Sequence, residues 1–126
     1  MSVLIDTSVW IDHFRSSNAA LVDLIELDLA LTHPMVIGVI ACGTPPAPRA
    51  QTLSSLGLLQ SCKQTNLNEV MAFIEREGLY GSGCGLVDMS LLASTLITPG
   101  AALWTLDKCL AELADRFGVA HQPKSH

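Results

Sequence analysis

Asp6 stands directly after the apolar run Val3-Leu4-Ile5, in a segment reading SVLIDTSVWIDHF. A carboxylate at the end of a buried strand is costly to desolvate unless a donor, a base or a metal ion partners it. Asp107 repeats the arrangement, since AALW leads into TLD and then into a helical stretch. Asp88 follows the glycine-rich GLYGSGCG and falls in the first turn of the next predicted helix. In an open parallel sheet ligands bind outside the carboxyl ends of the strands, so three acids far apart in the chain can meet along one sheet edge. Together they would offer hard oxygen ligands suited to Mg²⁺ or Mn²⁺. Taken singly, Asp88 and Asp107 read equally well as acids that cap helices or favour their N-termini. Asp6 reads less easily that way, because a Thr or Ser would cap without the cost of burying a charge.

The elements that must position these acids alternate along the chain. Val3 to Asp6 predicts a short buried strand, and Ser8 to Arg15 a helix after a Thr/Ser start. Ala19 to Glu26 predicts a second helix, with Leu21, Leu24 and Ile25 on one side. LALTHP reads as a strand ending before Pro34, which suits the first turn of a helix running to Cys42 and stopping at Gly43. TPPAP is a loop, and Arg49 to Leu59 a further helix. TNLNEVMAFIERE carries the plainest helix signal: Asn66 caps, Glu69 lies three residues on, and Leu67, Val70, Met71 and Ile74 recur at helical spacing. After the glycine-rich loop a helix runs from Val87 to Leu96, AALWT forms a strand, and Asp107 opens a last helix that Gly118 stops. Short apolar strands alternating with helices imply a central parallel sheet covered on both faces. At 126 residues, with no linker, repeat or low-complexity tract, residues 1–126 read as a single domain.

Charged residues make up 15 % of the chain, against about 25 % for an ordinary soluble domain. That shortage predicts apolar surface covered by another chain, as a homodimer, a partner protein, or both. A membrane does not account for it. Leu29 to Pro48 has no Asp, Glu, Lys or Arg, yet prolines and glycines break any spanning helix, and Pro99-Gly100 cuts the other uncharged stretch. No basic segment precedes an apolar run at the N-terminus, so no secretory signal is expected and a cytoplasmic location is. Cys42, Cys62, Cys84 and Cys109 are widely spaced and make a poor zinc pattern, so reduced, packed thiols are expected. A net charge of −5 argues against a broad nucleic-acid-binding face but leaves room for a metal-bridged one.

Four segments, LIDTSVWIDHFR, THPMVIGVIACG, LYGSGCGLVDMSLLAS and LWTLDKCL, occur in an order and spacing that resembles a PIN-domain ribonuclease of the VapC type, the toxin of a bacterial toxin–antitoxin pair. The resemblance runs from Val3 to about Val119. It implies a three-layer α/β/α PIN-like fold and a divalent-metal site in which Asp6, Asp88 and Asp107 are the matching catalytic and ligating acids. Thr7 or Ser8, together with Thr105, would orient water or phosphate beside them. It also implies a Mg²⁺-dependent endoribonuclease acting on RNA, dimeric and silenced by a cognate antitoxin, for which the helices near the N-terminus, with Leu21, Leu24 and Ile25, are the candidate groove. One position departs from the pattern. Where the family carries an acid after the glycine of HP-x-x-x-G-E-x-A, this chain has Val39, which can neither ligate a metal nor hold a water. The resemblance therefore implies an attenuated enzyme, with Val39 facing the three acids.

Other classes fit less well. A catalytically impaired binding module, holding antitoxin or RNA without cutting, is the nearest alternative, and divalent-cation binding separates the two. A receiver-type phospho-acceptor domain needs a lysine after a late strand, where this chain has TLD. A phosphatase with a DxD nucleophile is excluded by Thr7-Ser8 after Asp6. GSGCG lacks the GK[ST] ending of a phosphate loop and reads as a flexible connection that lets Asp88 approach the site. Besides Arg15, Lys108 is the only base near the acids. Trp10, Phe14 and Trp104 read as core residues, and His33 as a local hydrogen-bonding group before Pro34.

Overall fold

The structure, a computed structural model, describes residues 1–123. Four strands, β1 (Ser2–Ile5), β2 (Ala30–Thr32), β3 (Gln60–Ser61) and β4 (Ala101–Trp104), form an all-parallel sheet in the order β3-β2-β1-β4. Seven helices connect them among the described residues: α1 (Thr7–Arg15), α2 (Ala19–Glu26), α3 (Pro34–Cys42), α4 (Arg49–Gly57), α5 (Leu67–Glu77), α6 (Leu86–Ile97) and α7 (Lys108–Arg116). Right-handed crossovers put α1 to α4 on one face, because β1, β2 and β3 advance in one direction. The return from β3 to β4 puts α5 and α6 on the other. Packing agrees: α1 meets α3 and α3 meets α4, while α5 meets α6 and α6 meets both β4 and α7. The result is the expected α/β/α sandwich.

β1 is central and buried on both faces, which explains why Val3, Leu4 and Ile5 do not alternate with polar residues. The strand order reverses between β1 and β4, so the crevice outside their carboxyl ends is where a fold of this kind offers a ligand site. Helix boundaries follow local chemistry. Asn66 and Glu69 form the capping box, with Glu69 N–H donating to Asn66 Oδ1 at 2.8 Å and Asn66 N–H to Glu69 Oε1 at 3.0 Å. Gly78 closes α5 in the left-handed conformation at φ 65°.

Two pairings were absent from the sequence reading. β3 has only two residues, both exposed, and begins just beyond Leu59, to which the fourth helix was expected to run, whereas that helix ends at Gly57. The chain after α7 also returns to the sheet: Leu103 N–H donates to Val119 O at 2.7 Å and His121 N–H to Leu103 O at 2.9 Å, covering the outer edge of β4. The expectation of four reduced cysteines is likewise corrected. Cys84 and Cys109 form a disulfide, and Cys42 and Cys62 are free. Their wide spacing concealed the pairing, because the loop before α6 and the first turn of α7 meet only in the folded chain.

His33 caps α3 and joins the two helical layers. Its Nδ1 accepts from Met35 N–H at 3.0 Å, so the ring proton sits on Nε2, which donates to Ser94 Oγ of α6 at 3.2 Å. Burial lowers the His33 pKa below the ordinary value of 6.5. A histidine depressed in the folded state must gain a proton on unfolding in acid, so stability is full above about pH 6.5 and falls as pH drops from there toward the folded pKa. His33→Asn keeps a capping acceptor and removes this titration. Urea midpoints between about pH 5 and 8 should decline toward acid in the parent and less steeply in the variant; equal slopes would show that His33 does not titrate as its burial requires.

Candidate functional site

Asp6 is the N-cap of α1 and only 6 % exposed. Its Oδ2 accepts from Ser8 Oγ at 2.6 Å, from Thr105 Oγ1 at 2.7 Å and, at 3.4 Å, from Ser8 N–H. Those hydroxyls are themselves anchored. Leu106 N–H donates to Ser8 Oγ at 2.9 Å, and Asp107 N–H to Thr105 Oγ1 at 3.0 Å. Asp6 N–H donates to Trp104 O at 2.9 Å. The ends of β1 and β4 are thus laced together around one carboxylate, which places the start of the Asp107 segment beside it. Of the two candidates Thr7 and Ser8, it is Ser8 that binds Asp6. Thr7 Oγ1 is buried without a hydrogen-bond partner among the described residues.

Asp107 is the N-cap of α7, its Oδ2 accepting from Leu110 N–H at 2.9 Å. Asp88 lies in the first turn of α6, its Oδ2 accepting from Gly85 N–H at 3.2 Å. Burial raises the Asp88 pKa, the Gly85 hydrogen bond opposes this, and the charges of Asp6 and Asp107 raise it further. The three acids therefore share an electrostatic neighbourhood at one end of the sheet. All three do cap or favour helix N-termini, yet each does so through Oδ2 alone. Their Oδ1 atoms take no protein hydrogen bond among the described residues. The only ion pair among the described residues is Arg76–Glu77 at 3.8 Å, so neither Lys108 nor Arg15 neutralises the acids. Hard oxygen donors with free lone pairs and uncompensated charge match the chemistry of a divalent-cation site. Among the described residues, however, no three Asp, Glu, His or Cys side chains converge closely enough to enclose an ion.

Val39 lies on α3, 40 % exposed, beside Ile11 and Phe14 of α1 and the Gly43–Pro45 turn, in a small cavity of about 80 Å³ that none of the three acids lines. A larger groove of about 410 Å³ runs between α1, α2 and α4, with Trp10, Phe14, Ile25, Pro48, Leu56 and Leu59 among its walls. It locates part of the apolar surface expected of the N-terminal helices. Of the residues named for it, Ile25 lines the groove, Leu24 packs on the core, and Leu21 is fully buried in the core. Helical periodicity marks a side as apolar without saying whether a neighbouring helix or solvent covers it. Trp10 and Trp104 are buried, as expected of core residues.

A parallel α/β/α sandwich with acids gathered past the carboxyl ends of its switch-point strands is a PIN-like domain. Comparison with characterised proteins narrows this further. Over 118 residues the chain is 41 % identical to Ribonuclease VapC32 of Mycobacterium tuberculosis, in strain CDC 1551 / Oshkosh and in strain ATCC 25618 / H37Rv, and the alignment covers 94 % of this chain and 94 % of each relative. No family model matches the chain. With identity of this extent along almost the whole length, the chain belongs to the VapC-type PIN-domain ribonuclease toxins.

The lacing around Asp6 makes a direct prediction. Thr105→Val removes the donor to a buried carboxylate and the acceptor of Asp107 N–H. It should cost about 1.5–3 kcal/mol in urea denaturation, and Thr105→Ser should recover most of that. A loss below about 0.5 kcal/mol for the valine variant would mean that Asp6 does not depend on this hydroxyl.

Proposed function

We propose that this chain is a divalent-metal-dependent endoribonuclease, the toxin of a toxin–antitoxin pair, with cleavage attenuated by Val39. The observation that carries the reading is the kinship with a protein named a ribonuclease combined with the shared neighbourhood of Asp6, Asp88 and Asp107. Asp6, Asp88 and Asp107 would hold Mg²⁺ or Mn²⁺ through their free Oδ1 atoms. When bound, such an ion offsets negative charge on the phosphodiester and lowers the pKa of a bound water.

The chain's own residues do the rest. Ser8 and Thr105 hold Asp6 through Oδ2. A carboxylate of the cluster would orient the attacking water and take its proton, as the water oxygen bonds to phosphorus and the P–O bond to the departing sugar oxygen breaks. Lys108, exposed at the start of α7, is placed to contact RNA phosphate.

Val39 lines a cavity with Ile11 and Phe14 instead of facing the three acids as expected, so the attenuated reading rests on the residue type at this position and not on its surroundings. Met35 and Val39 lie on the solvent side of α3, four residues apart, while Val36 and Ile40 face the core. A half-exposed apolar side chain at that place supplies no ligand. Val39→Glu should raise Mn²⁺ affinity and RNA cleavage by about tenfold or more, and Asp6→Asn added to it should abolish the gain. Cleavage assays and Mn²⁺ titrations of the three proteins decide the matter. Equal activity before and after Val39→Glu would remove position 39 from the site, and no cleavage in any of them would favour an inert binding module.

The cognate antitoxin is the proposed occupant of the groove between α1, α2 and α4. Its apolar walls match an amphipathic segment, and the low charge content of the chain is consistent with surface shielded by a partner. A homodimer belongs to the same reading, with the exposed Leu67, Met71, Leu96 and Ile97 of α5 and α6 as the candidate surface. Ile25→Asp should weaken capture of a cognate antitoxin by about tenfold or more, a loss of about 1.4 kcal/mol per tenfold step. Unchanged capture would place the antitoxin elsewhere.

A further inference from the structure

The disulfide between Cys84 and Cys109 joins residues whose Cα atoms are 5.9 Å apart and which are 25 positions apart in the chain. Its placement sets it apart from a general staple. Cys84 precedes Gly85, the residue whose N–H donates to Asp88 Oδ2. Cys109 follows Asp107 by two residues and precedes Leu110, whose N–H donates to Asp107 Oδ2. The bond therefore runs from the turn that presents Asp88 to the turn that presents Asp107.

The two ends are unequal in rigidity. Cys109 sits on α7, anchored by the buried Leu110, Leu113 and Ala114. Cys84 sits in a loop whose Gly81 and Gly83 take φ of 74° and 94°, and whose residues 80–83 are exposed. The loop's own tie at this point is one weak hydrogen bond, Cys84 N–H to Ser82 Oγ at 3.4 Å. A Cβ built on Gly83 would lie 3.8 Å from Cys109 Sγ, so the loop backbone packs against the α7 sulfur. The disulfide is the covalent element that fixes this loop to the helix. Both cysteines are half-buried and open to small thiols.

We propose that Cys84 and Cys109 form a redox-operated positioning device for the candidate cation site, tethering the turn that presents Asp88 to the anchored turn that presents Asp107 when oxidised and freeing the Asp88 turn when reduced. The proposal rests on the metal-site reading given above. In the exchange, the two thiols and a small-molecule disulfide become the protein disulfide and two small thiols. One S–S bond forms and one breaks, and two electrons and two protons pass to the small molecule; a dithiol reverses the step. Cys62 is buried, and neither it nor Cys42 takes part.

The test compares the full chain oxidised with oxidised glutathione, the same chain reduced with a phosphine that is then removed, and the variant Cys84→Ser/Cys109→Ser, each also in the Val39→Glu background. Alkylation in denaturant followed by intact mass should report two free thiols in the oxidised chain and all four in the reduced one. Mn²⁺ titration followed by electron paramagnetic resonance should show about tenfold tighter binding in the oxidised form, because fixing ligand-bearing turns removes an ordering cost from binding. The double variant should match the reduced chain under either treatment, with circular dichroism confirming its fold. Four reactive thiols after oxidation would overturn the proposal. So would equal, measurable Mn²⁺ affinity in both forms with only the melting temperature changed, the signature of a structural staple. Absence of Mn²⁺ binding in every form, Val39→Glu included, would overturn the metal site itself and this proposal with it.

Discussion

The carboxylate of Asp6 meets water over only 6 % of the residue's surface, and the arrangement of the whole sheet edge follows from keeping that charge satisfied. An ionised group so placed demands donors, and none of them is a charged side chain. Ser8 supplies one from the first turn of α1, and Thr105 supplies another from beyond β4. Because Thr105 also accepts from Asp107 N–H, and Ser8 from Leu106 N–H, the requirement of a single buried charge is passed on to the backbone of the TLD segment. The register of β1 against β4, which pairs Ile5 with Trp104, is the one that brings these groups to the same height. Neutral hydroxyls hold the carboxylate of Asp6, and no basic side chain pairs with it among the described residues.

Three acids with no basic partner among the described residues repel one another, and at Asp88 that repulsion adds to the larger effect of burial in raising the pKa. The helices help to offset it. Asp6, Asp88 and Asp107 lie at or within the first turn of α1, α6 and α7, where unpaired N–H groups and the helix dipole favour negative charge. Capping and ligation are often weighed as rival explanations for an acid at such a place. Here the capping side is explicit: hydroxyls of Ser8 and Thr105 hold Oδ2 of the buried Asp6, while backbone N–H groups hold Oδ2 of the half-buried Asp88 and of the exposed Asp107.

Much of this arrangement was legible before any coordinates. Asp6, Asp88 and Asp107 announced themselves through position: an acid after an apolar strand, or after a glycine loop at a helix start. Helix limits followed where a local group decides them, as at Asn66, Pro34 and Gly118. What stayed hidden was whatever depends on partners distant in sequence. β3 has two exposed residues and no apolar pattern, and it is a strand only because β2 offers its edge. The return of Val119 to His121 onto β4 has the same origin. The Cys84–Cys109 bond was obscured by spacing, and Leu21 was placed on a binding face although it is buried, because an apolar stripe does not say what lies against it. Ser8 outranking Thr7 at Asp6 was equally beyond sequence, since either hydroxyl has the right chemistry and only the direction of the first helical turn separates them.

Position 39 shows how far the fold and the chemistry of this chain are separable. Helix α3 is fixed by Val36 and Ile40 on its inner face, by Pro34 at its start and by the His33 cap. None of these needs Val39, whose side chain is 40 % exposed and borders only a small cavity. Exchange of a half-exposed residue on an otherwise well-anchored helix falls within the narrow stability range of surface substitutions, and glutamate is at least as good a helix former as valine. The sandwich therefore exerts little selection on this position in either direction. Asp6 is the opposite case, since its charge is bound into the β1–β4 junction and its loss would be felt by the fold as well as by any ligand.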